Sequence, residues 1–552
     1  MPVRRRSILL AGGAFAVLTV ALLARIVDWD LFWHLVVGRE TVQAGRVPEA
    51  DFYVYPALGT ASGFHEWGFG VLAYVVQRWA GWWGLSLANA ALSAAALMLT
   101  AAAAVRRGAS WTAAVAVLGP LALASAYRLC YRPEIMLYLA FGATLWVLER
   151  RALLAVPALA FALTLFHPSA VILLLVVGTH SVDVLLTDRK EWLKLLAVLA
   201  ASTLAIVVAP GGWHSLVLAL TASKNDMNAL IGEYVPVLSS EYRWHFVATA
   251  AAAIVSLLAF RRRVSDVLLV AGFGFLAILY VRNLTLFALA AFGPICLAVD
   301  RALQRFPRLR FAAPAALAGA AAVLVLAPTW GAAEAPGRYP RETADFILRH
   351  RPAGRLFNQL HTGGYLAWRL LPGYQVAIDG RNYHGVNAPL RYVDSVSELQ
   401  EGWQAQLDRF GVTLIATPGV RPGSGRLIPL VAELERDGRW LLAVVEPAGM
   451  LFVRRDVFPA GASPIPKAAI WRQVLAETEG LERRPRARFA RGIASFRMHA
   501  FPLAATELAA YRAAFPDDRE AAQLAELLQA SVRGDPRATA VLEDLFQRGR
   551  AE

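Results

Sequence analysis

The sequence predicts a polytopic α-helical membrane protein with about eleven spans, followed by a small α/β domain and a C-terminal helical segment. Three observations favour this fold class. First, 57% of the 552 residues are hydrophobic and only 17% are charged, whereas a soluble domain usually carries about 25% charged residues. Second, residues 1–330 are apolar runs separated by short charged clusters, whereas residues 337–552 have a soluble composition. Third, the basic clusters occupy alternate connections between the apolar runs.

Eleven apolar runs are candidate spans, because a helix needs about 20 mostly apolar residues to cross the hydrocarbon core. No small-residue cleavage site separates the first run from Arg25 and Asp28, so we predict a membrane helix there and not a signal peptide. The stretch Trp67–Trp83 mixes aromatic and polar residues, which predicts a helix near the outer surface. The runs are residues 8–23, 84–105, 111–127, 134–148, 152–166, 169–186, 192–209, 246–260, 264–281, 284–299 and 311–329.

The distribution of basic residues predicts the orientation of the chain. The positive-inside rule places the connections with basic clusters, and with them the N-terminus, in the cytoplasm of a bacterium. An odd number of spans in its inner membrane then places the soluble tail in the periplasm. The net charge of +14 belongs largely to these loops, so no nucleic-acid partner is expected. The clusters are Arg4–Arg6, Arg106–Arg107, Arg150–Arg151, Arg189–Lys190, Arg261–Arg263 and the segment from Arg301 to Arg310.

The chain is predicted to divide into three domains: a transmembrane domain of residues 1–330, an α/β domain of residues 337–457 and a helical segment of residues 467–552. In the α/β domain, predicted strands at residues 355–360, 374–378, 412–416, 439–445 and 450–454 alternate with helices, which favours a largely parallel sheet. The last segment is similar to tetratricopeptide-like (TPR-like) helix hairpins, although a helical cap without a partner fits the pattern equally well.

Polar residues gather in the first outer loop. If a helix begins at Leu31, Asp30 and His34 lie one turn apart on the same face. With Asp28 they make a candidate acid/base cluster, or a candidate site for a divalent metal ion. His65 and Glu66 follow further along the same loop. A solvated loop with an aromatic interfacial belt explains these residues equally well.

Other ionisable residues lie within or between the apolar runs on the predicted outer side, and at membrane depth such residues are costly and therefore functional candidates. They are Arg128, Arg132, His167, Glu233 and Arg282. Arg282 has a second explanation, snorkelling to the interface, and His167 could be satisfied by the backbone at a helix end. Guanidinium groups form bidentate bonds to phosphate, and a carboxylate can take a proton from an acceptor hydroxyl or amine. That combination is the chemistry of sugar transfer from a lipid-linked phosphate.

The ordered motifs of the chain resemble those of the GT-C superfamily of integral-membrane glycosyltransferases. They are most similar to a poorly characterised bacterial group with an Asp-x-Asp-x-x-x-His first loop. The resemblance covers about residues 20–385, and Thr164 and Tyr234 stand where the group has Asn and Trp. The matching residues are Asp28, Asp30, His34, Gly38, Val47-Pro48, Asp51, His65-Glu66-Trp67, Arg132-Pro133, His167, Glu233, Pro236, Phe357-Asn358, Gly363-Gly364-Tyr365-Leu366 and Asp379-Gly380-Arg381.

The resemblance implies a glycosyltransferase that uses a polyprenyl-phosphate sugar. Its catalytic base, or a metal ligand, falls on Asp28 or Asp30, and Asp30 is favoured because His34 is one turn away. The donor phosphate would be held by Arg128, Arg132 and Arg282. The remaining substrate-binding residues would be His34, His65, Glu66, His167 and Glu233, and Asp28, Asp30 and His34 are the candidate metal ligands. The expected partners are the lipid bilayer, the lipid-linked sugar and a glycan, lipid or protein acceptor.

Three other functions compete with this interpretation. A polysaccharide polymerase or ligase acts on lipid-linked glycans at the same face and would depend more on arginines. A membrane scaffold would only display the periplasmic domain to partners, which leaves the buried charges unexplained. A transporter is disfavoured, because the sequence shows no internal repeat and its charges gather at one face.

Overall fold

The computed structural model describes residues 2–61, 64–186, 189–221, 232–259, 263–381 and 388–551. The chain divides into two compact units. The first unit comprises Met1–Pro48 and Gly63–Ala335, and the second comprises Glu49–Ser62 and Pro336–Glu552. The break near residue 335 lies close to the predicted end of the membrane domain. The segment 49–62 differs from the prediction, since the sequence analysis assigned it to the outer loop of the membrane domain.

The described part of the first unit is helical, and each of the eleven predicted apolar runs coincides with a helix. A short helix in the first outer loop (α2) and another after α8 (α9) are additional. The helices are α1 (Pro2–Ala21), α2 (Leu31–Ala44), α3 (Trp67–Arg106), α4 (Trp111–Ser125), α5 (Glu134–Glu149), α6 (Ala155–Phe166), α7 (Val171–Leu185), α8 (Arg189–Val208), α9 (Gly212–Thr221), α10 (Arg243–Ala259), α11 (Val264–Leu279), α12 (Leu284–Arg305) and α13 (Ala312–Val325).

Among the described residues, five helical segments are long and apolar enough to cross a membrane: Trp67–Arg106, Pro168–Leu185, Lys190–Val208, Val281–Arg305 and Pro307–Val325. Four shorter apolar helices accompany them. The number of about eleven spans therefore stays a prediction, as does the orientation. Arg261 and Arg262, two members of a predicted cytoplasmic cluster, lie outside the described residues.

Two glycines set the packing of α2 against α3. A Cβ atom on Gly38 would lie 2.0 Å from the carbonyl oxygen of Gly70, and one on Gly70 would lie 2.6 Å from the carbonyl oxygen of His34. Only glycine allows backbones to approach this closely. Further along α3, Gly81 has φ +62° and interrupts the helical geometry. The predicted Trp67–Trp83 helix is therefore essentially the part of α3 that precedes this kink.

The second unit contains a four-stranded sheet and ten α-helices among the described residues. The strands are β1 (Arg355–Asn358), β2 (Val412–Thr417), β3 (Trp440–Glu446) and β4 (Gly449–Arg454). The helices are α14 (Arg341–His350), α15 (Gly363–Leu370), α16 (Ala388–Ser397), α17 (Trp403–Phe410), α18 (Pro429–Arg436), α19 (Ala469–Glu477), α20 (Pro485–Arg497), α21 (Phe501–Ala514), α22 (Arg519–Val532) and α23 (Pro536–Ala551).

The prediction of a largely parallel sheet is wrong. The strand order is β1-β2-β4-β3, and only β1 and β2 are parallel. The cause is the tight turn at Pro447 and Ala448, which makes β3 and β4 an antiparallel hairpin, and β4 inserts beside β2. The predicted strand at residues 374–378 is also wrong, because Val376 forms only a single bridge, to Val54.

A buried ion-pair network, here called the Arg381 network, explains why residues 49–62 belong to the second unit. Arg381 Nη2 donates to Asp51 at 2.8 Å, and its Nε donates to Asp379 at 2.9 Å. The Tyr53 hydroxyl also donates to Asp379, and the guanidinium lies 4.5 Å from the centre of the Tyr53 ring. All three charged residues are buried. The Asp-Gly-Arg motif therefore anchors a segment that lies more than 300 positions earlier in the chain.

Two other motif residues of the tail have structural roles near the same place. The Asn358 side chain donates to the carbonyl of Ile378 at 2.9 Å and accepts from the N–H of Ala377 at 2.8 Å. A Cβ atom on Gly363 would lie 1.7 Å from the Ile378 carbonyl oxygen, so only glycine fits there. The Phe-Asn and Gly-Gly-Tyr-Leu motifs thus hold the 374–381 segment.

The C-terminal helices pack consecutively, α20 on α21, α21 on α22 and α22 on α23. Their shared core includes Phe496, Leu508, Leu528, Leu542 and Phe546. Consecutive antiparallel packing is what a helix-hairpin repeat requires. The TPR-like assignment itself stays a prediction.

Candidate functional site

All ten predicted site residues lie in the first unit, and Arg132 joins several of them. Its side chain bonds both carboxylate oxygens of Asp28, and its Nη1 donates to Glu233 at 2.5 Å. Asp30 lies 3.7 Å from Arg132 Nη2. One arginine between α4 and α5 therefore joins carboxylates that precede α2 and α10.

A second arginine, Arg128, lies beneath this cluster and is almost fully buried, with 3% of its side chain exposed. It forms ion pairs with Glu134 and Glu233. Burial works against the charge of Glu233, but Arg128 and Arg132 hold the pKa of this carboxyl below its usual range. The charged forms of these residues therefore stabilise one another.

Arg282 completes the arginine group from the turn between α11 and α12. Its Nη1 donates to the Tyr234 hydroxyl at 2.5 Å, and its guanidinium lies 4.9 Å from the centre of the Tyr234 ring. Its Nη2 lies 3.4 Å from Glu134. Tyr234 stands where the related group has Trp, and its hydroxyl gives Arg282 a partner that Trp could not supply.

Three histidines surround one carboxylate, forming a second cluster that we call the Glu66 cluster. The Nε2 atoms of His34, His65 and His167 lie 3.6, 3.8 and 3.9 Å from the Glu66 carboxylate oxygens. Glu66 is 13% exposed, and His34 and His167 are 2% and 3% exposed. Burial, and then the charge of Glu134, raise the pKa of Glu66 well above its usual range.

Burial also controls the histidines of this cluster. It lowers the pKa of His34 well below its usual range and lowers the pKa of His167 to about 4. His167 Nδ1 accepts the N–H of Ser169 at 3.1 Å, so the proton of the neutral ring sits on Nε2, facing Glu66. The alternative interpretation of His167 as a helix-end residue satisfied by backbone is thus partly right. Its backbone partner is the amide N–H of Ser169.

The local sequence explains how α2 carries both clusters. Asp30 occupies the position before the first residue of α2, and His34 follows one turn later, as expected from the sequence. The close approach of Gly38 to Gly70 holds α2 against the start of α3, directly after Glu66. Asp28 accepts the backbone N–H of Asp30 at 2.9 Å, which fixes the turn into the helix.

The predicted metal ligands divide between the two clusters. Asp28 and Asp30 face Arg132, whereas the His34 imidazole faces Glu66. Within the described ranges, no group of three or more His, Cys, Asp or Glu side chains is arranged to hold a metal ion. Asp28 therefore offers its oxygens to a guanidinium, and a metal ion at these three residues stays a sequence-based prediction.

Sequence analysis missed Glu134, which contacts both Arg128 and Arg282. A signal was present, because Glu134 directly follows the Arg132-Pro133 motif and opens an apolar run. It also missed Tyr234 as an arginine partner, having noted it only as a departure from the group's pattern.

Comparison with known proteins provides independent information about the fold of this chain. No protein-family model and no curated protein sequence matches the chain. Solved structures do match, and they show a fold similar to that of oligosaccharyltransferases.

Two of these structures are oligosaccharyltransferases of Archaeoglobus fulgidus. One is AglB in complex with an inhibitory peptide and a dolichol-phosphate, with a TM-score of 0.55 and 10% identity over 86% of this chain and 78% of that one. The other is a complex with zinc and sulfate, with a TM-score of 0.53 and 12% identity over 85% of this chain and 76% of that one. At such identities the similarity shows the fold alone.

Proposed function

We propose that the chain is a membrane glycosyltransferase that transfers a sugar from a polyprenyl-phosphate donor to a periplasmic or envelope acceptor. The observation that carries the proposal is the cluster of Arg132 with Asp28, Asp30 and Glu233, where guanidinium and carboxylate groups lie together in a fold similar to that of an oligosaccharyltransferase. The dolichol-phosphate and peptide bound to the similar AglB structure support a lipid-linked donor and an acceptor of related chemistry.

The donor phosphate is best assigned to Arg132 and Arg282. Their side chains are 22% and 26% exposed, whereas Arg128 is 3% exposed and pairs through its two terminal nitrogens with Glu134 and Glu233. Arg282 makes only a 3.4 Å contact to a carboxylate, so it has donor capacity left for a phosphate. Arg128 is thus a positioning residue, in contrast to the phosphate-binding role that the sequence analysis gave it.

Asp30 is the better candidate for the base. Its side chain is 37% exposed and lies 3.7 Å from Arg132, whereas the Asp28 side chain is 4% exposed and bonds Arg132 with both oxygens. A general base must reach the proton that it takes, and a buried, fully paired carboxylate cannot. Asp28 instead orients Arg132.

In the proposed reaction, Asp30 accepts the proton of an acceptor hydroxyl or amine as the oxygen or nitrogen of that group bonds to C1 of the donor sugar. The bond between C1 and the phosphate oxygen breaks, and the electron pair leaves with the polyprenyl phosphate. Arg132 and Arg282 stabilise the negative charge that develops on the leaving phosphate. The Glu66 cluster would hold sugar hydroxyls through its imidazoles.

The test is release of polyprenyl phosphate by the purified full chain in detergent, measured by mass spectrometry with a panel of polyprenyl-phosphate sugars. We expect sugar-dependent release that falls at least about 100-fold in Asp30→Asn, the scale of a lost general base. The matched control is Asp517→Asn, which changes an exposed carboxylate in the second unit. Full activity in Asp30→Asn, or no release from any donor by a folded protein, would contradict the proposal.

The second candidate is a polysaccharide polymerase or ligase, which the density of arginines favours. The two functions predict different effects of the same substitutions on activity. If the chain is a polymerase, Arg282→Gln should abolish elongation of a lipid-linked glycan while Asp30→Asn remains active. If it is a glycosyltransferase of the proposed kind, both substitutions should impair transfer.

The proposed orientation has the N-terminus in the cytoplasm and the second unit in the periplasm. It rests on the basic clusters and needs its own test. Alkaline phosphatase, which is active only outside the cytoplasm, should be active when fused after residue 552 and inactive when fused after Arg106. The opposite pattern would overturn the orientation.

A further inference from the structure

The second unit contains a cavity of about 610 Å³ that the proposed reaction does not use. It is lined by residues from α17, from the start of β3 and from the end of β4. Ligand sites typically have volumes of about 300–1,000 Å³, so this cavity is large enough for a disaccharide.

The apolar part of the lining comes from Trp403, Leu407 and Trp440. Trp440 is 4% exposed and forms part of the core, whereas Trp403 is only partly buried at the start of α17. A partly exposed indole offers a flat apolar face to a ligand while its other side stays packed.

The charged part of the lining has one arginine that differs from the others. Arg439 pairs with Asp437 at 2.7 Å, and Arg454 pairs with Asp456 at 2.7 Å, so both are largely neutralised. Arg455 donates its Nε to the Gly438 carbonyl at 3.0 Å, and in the part of the chain that the structure describes no carboxylate lies within ion-pair distance of it. Its two terminal nitrogens therefore keep a positive charge at the cavity.

We propose that this cavity binds a saccharide that carries a carboxylate, such as a uronic acid. The sugar ring stacks on Trp403, and its carboxylate forms a bidentate pair with Arg455. Asp408, an exposed carboxylate in the lining, accepts hydroxyl hydrogen bonds from the sugar. An aromatic face beside a guanidinium that has no ion pair among the described residues favours an acidic sugar over a neutral one. The proposal concerns binding alone and does not depend on glycosyl transfer.

Isothermal titration calorimetry on the full chain in detergent tests this site. The probes are a β-linked disaccharide that ends in glucuronic acid and the same disaccharide ending in glucose. The variants are Arg455→Gln and Trp403→Phe, with Trp403→Leu as the stronger change. Arg472→Gln is the matched control, because Arg472 is exposed on α19 and is absent from the lining.

We expect the acidic disaccharide to bind about tenfold more tightly than the neutral one, as a charge-assisted pair is worth more than a neutral hydrogen bond. Arg455→Gln should remove that preference, Trp403→Leu should weaken binding of both probes, and Trp403→Phe should weaken it less. Arg472→Gln should bind like the unaltered chain. Equal affinity for the two probes, absence of binding at millimolar concentration, or an unaltered preference in Arg455→Gln would overturn the proposal. A circular dichroism melt of each variant identifies any loss that is due to unfolding.

Discussion

Arg132 Nη1 donates a hydrogen bond to Glu233 Oε1 at 2.5 Å, and the two residues are 101 positions apart. The same guanidinium bonds Asp28, 104 positions earlier. Because each partner is held by a different connection between helices, this one side chain fixes the geometry of the whole cluster. Its removal should therefore affect both stability and activity.

Arg132→Gln should destabilise the first unit by about 3–5 kcal/mol, because it leaves the buried Asp28 carboxylate without its cation. Arg132→Lys should cost less, since an ammonium keeps the charge but cannot bond both oxygens of Asp28. Thermal melts followed by circular dichroism in detergent measure both, with Arg472→Gln as the control for loss of an exposed arginine. A melting midpoint of Arg132→Gln equal to that of the control would show that the cluster carries no stability.

Gly38→Ala should disrupt the junction of α2 and α3. The added methyl group would lie 2.0 Å from the Gly70 carbonyl oxygen, so the helices must separate, at a cost of about 1–3 kcal/mol. Since His34 lies on α2 and Glu66 directly precedes α3, the substitution should also reduce the proposed glycosyl transfer. The control is Gly272→Ala, where the added methyl group meets nothing within 4 Å. Equal stability and activity of the two variants would contradict the close packing.

The sequence allowed the helices to be predicted and indicated ionisable candidate residues, because both depend on local patterns. Apolar runs of helical length are visible in any window, and an ionisable residue among them, such as His167, stands out by its cost. The pairing of Arg132 with Asp28 was not predictable, since a contact across 104 positions leaves no periodic signal. The motif glycines were noticed, but only the structure shows that Gly38 serves a close helix contact.

The sheet likewise depends in part on contacts between distant segments, which local sequence does not reveal. Alternation of strands and helices favoured a parallel arrangement, and β1 with β2 obeys it. The short turn at Pro447 and Ala448 specified a hairpin, which local sequence could have indicated. That β4 would insert beside β2 depends on packing between distant segments. The membership of residues 49–62 in the second unit depends likewise on the buried contact between Asp51 and Arg381.

Arg381→Gln should release the 49–62 segment from the second unit. Asp51 and Asp379 are 5% and 0% exposed, so both carboxylates would lose their cation in a buried site, at about 3–5 kcal/mol. Limited proteolysis should then cut within residues 49–61, while Arg472→Gln stays resistant there. The double variant Arg381→Gln with Asp51→Asn should recover part of the stability, because one unpaired charge is gone. Absence of any recovery would argue against the ion pair as the cause.

The buried carboxyl of Glu477 should make the stability of the chain depend on pH. This last residue of α19 accepts the N–H groups of Gly419 and Val420 at 2.7 and 3.0 Å, and Gln473 donates to its other oxygen at 2.9 Å. Burial nevertheless raises the pKa of Glu477 from 4.5 to about 7. The folded state is therefore most stable when this buried carboxyl, which links α19 to the loop after β2, is protonated.

The sign of the effect follows from proton binding in the two states. Below about pH 4.5 both the folded and the unfolded chain hold the proton, and stability is full. Between pH 4.5 and pH 7 the unfolded state loses its proton first, so stability falls as pH rises, by roughly 3 kcal/mol in total. Glu477→Gln has no proton to lose. Its melting midpoint should therefore rise relative to the unaltered chain between pH 5 and pH 8, by roughly 5–10 °C.

The measurement is a pair of thermal melts, at pH 5 and pH 8, on the unaltered chain, on Glu477→Gln and on a control variant, Glu479→Gln. Glu479 is a suitable control because its side chain is exposed, two residues after Glu477. Other groups that titrate in this range act on all three proteins and cancel in the differences between them. His361 is one such group, because burial lowers its pKa to about 4 and its contribution to stability is lost as pH falls. Glu479→Gln should follow the unaltered chain at both pH values. If Glu477→Gln did so too, the carboxyl would titrate alike in the folded and unfolded chain, and its three hydrogen bonds would offset its burial.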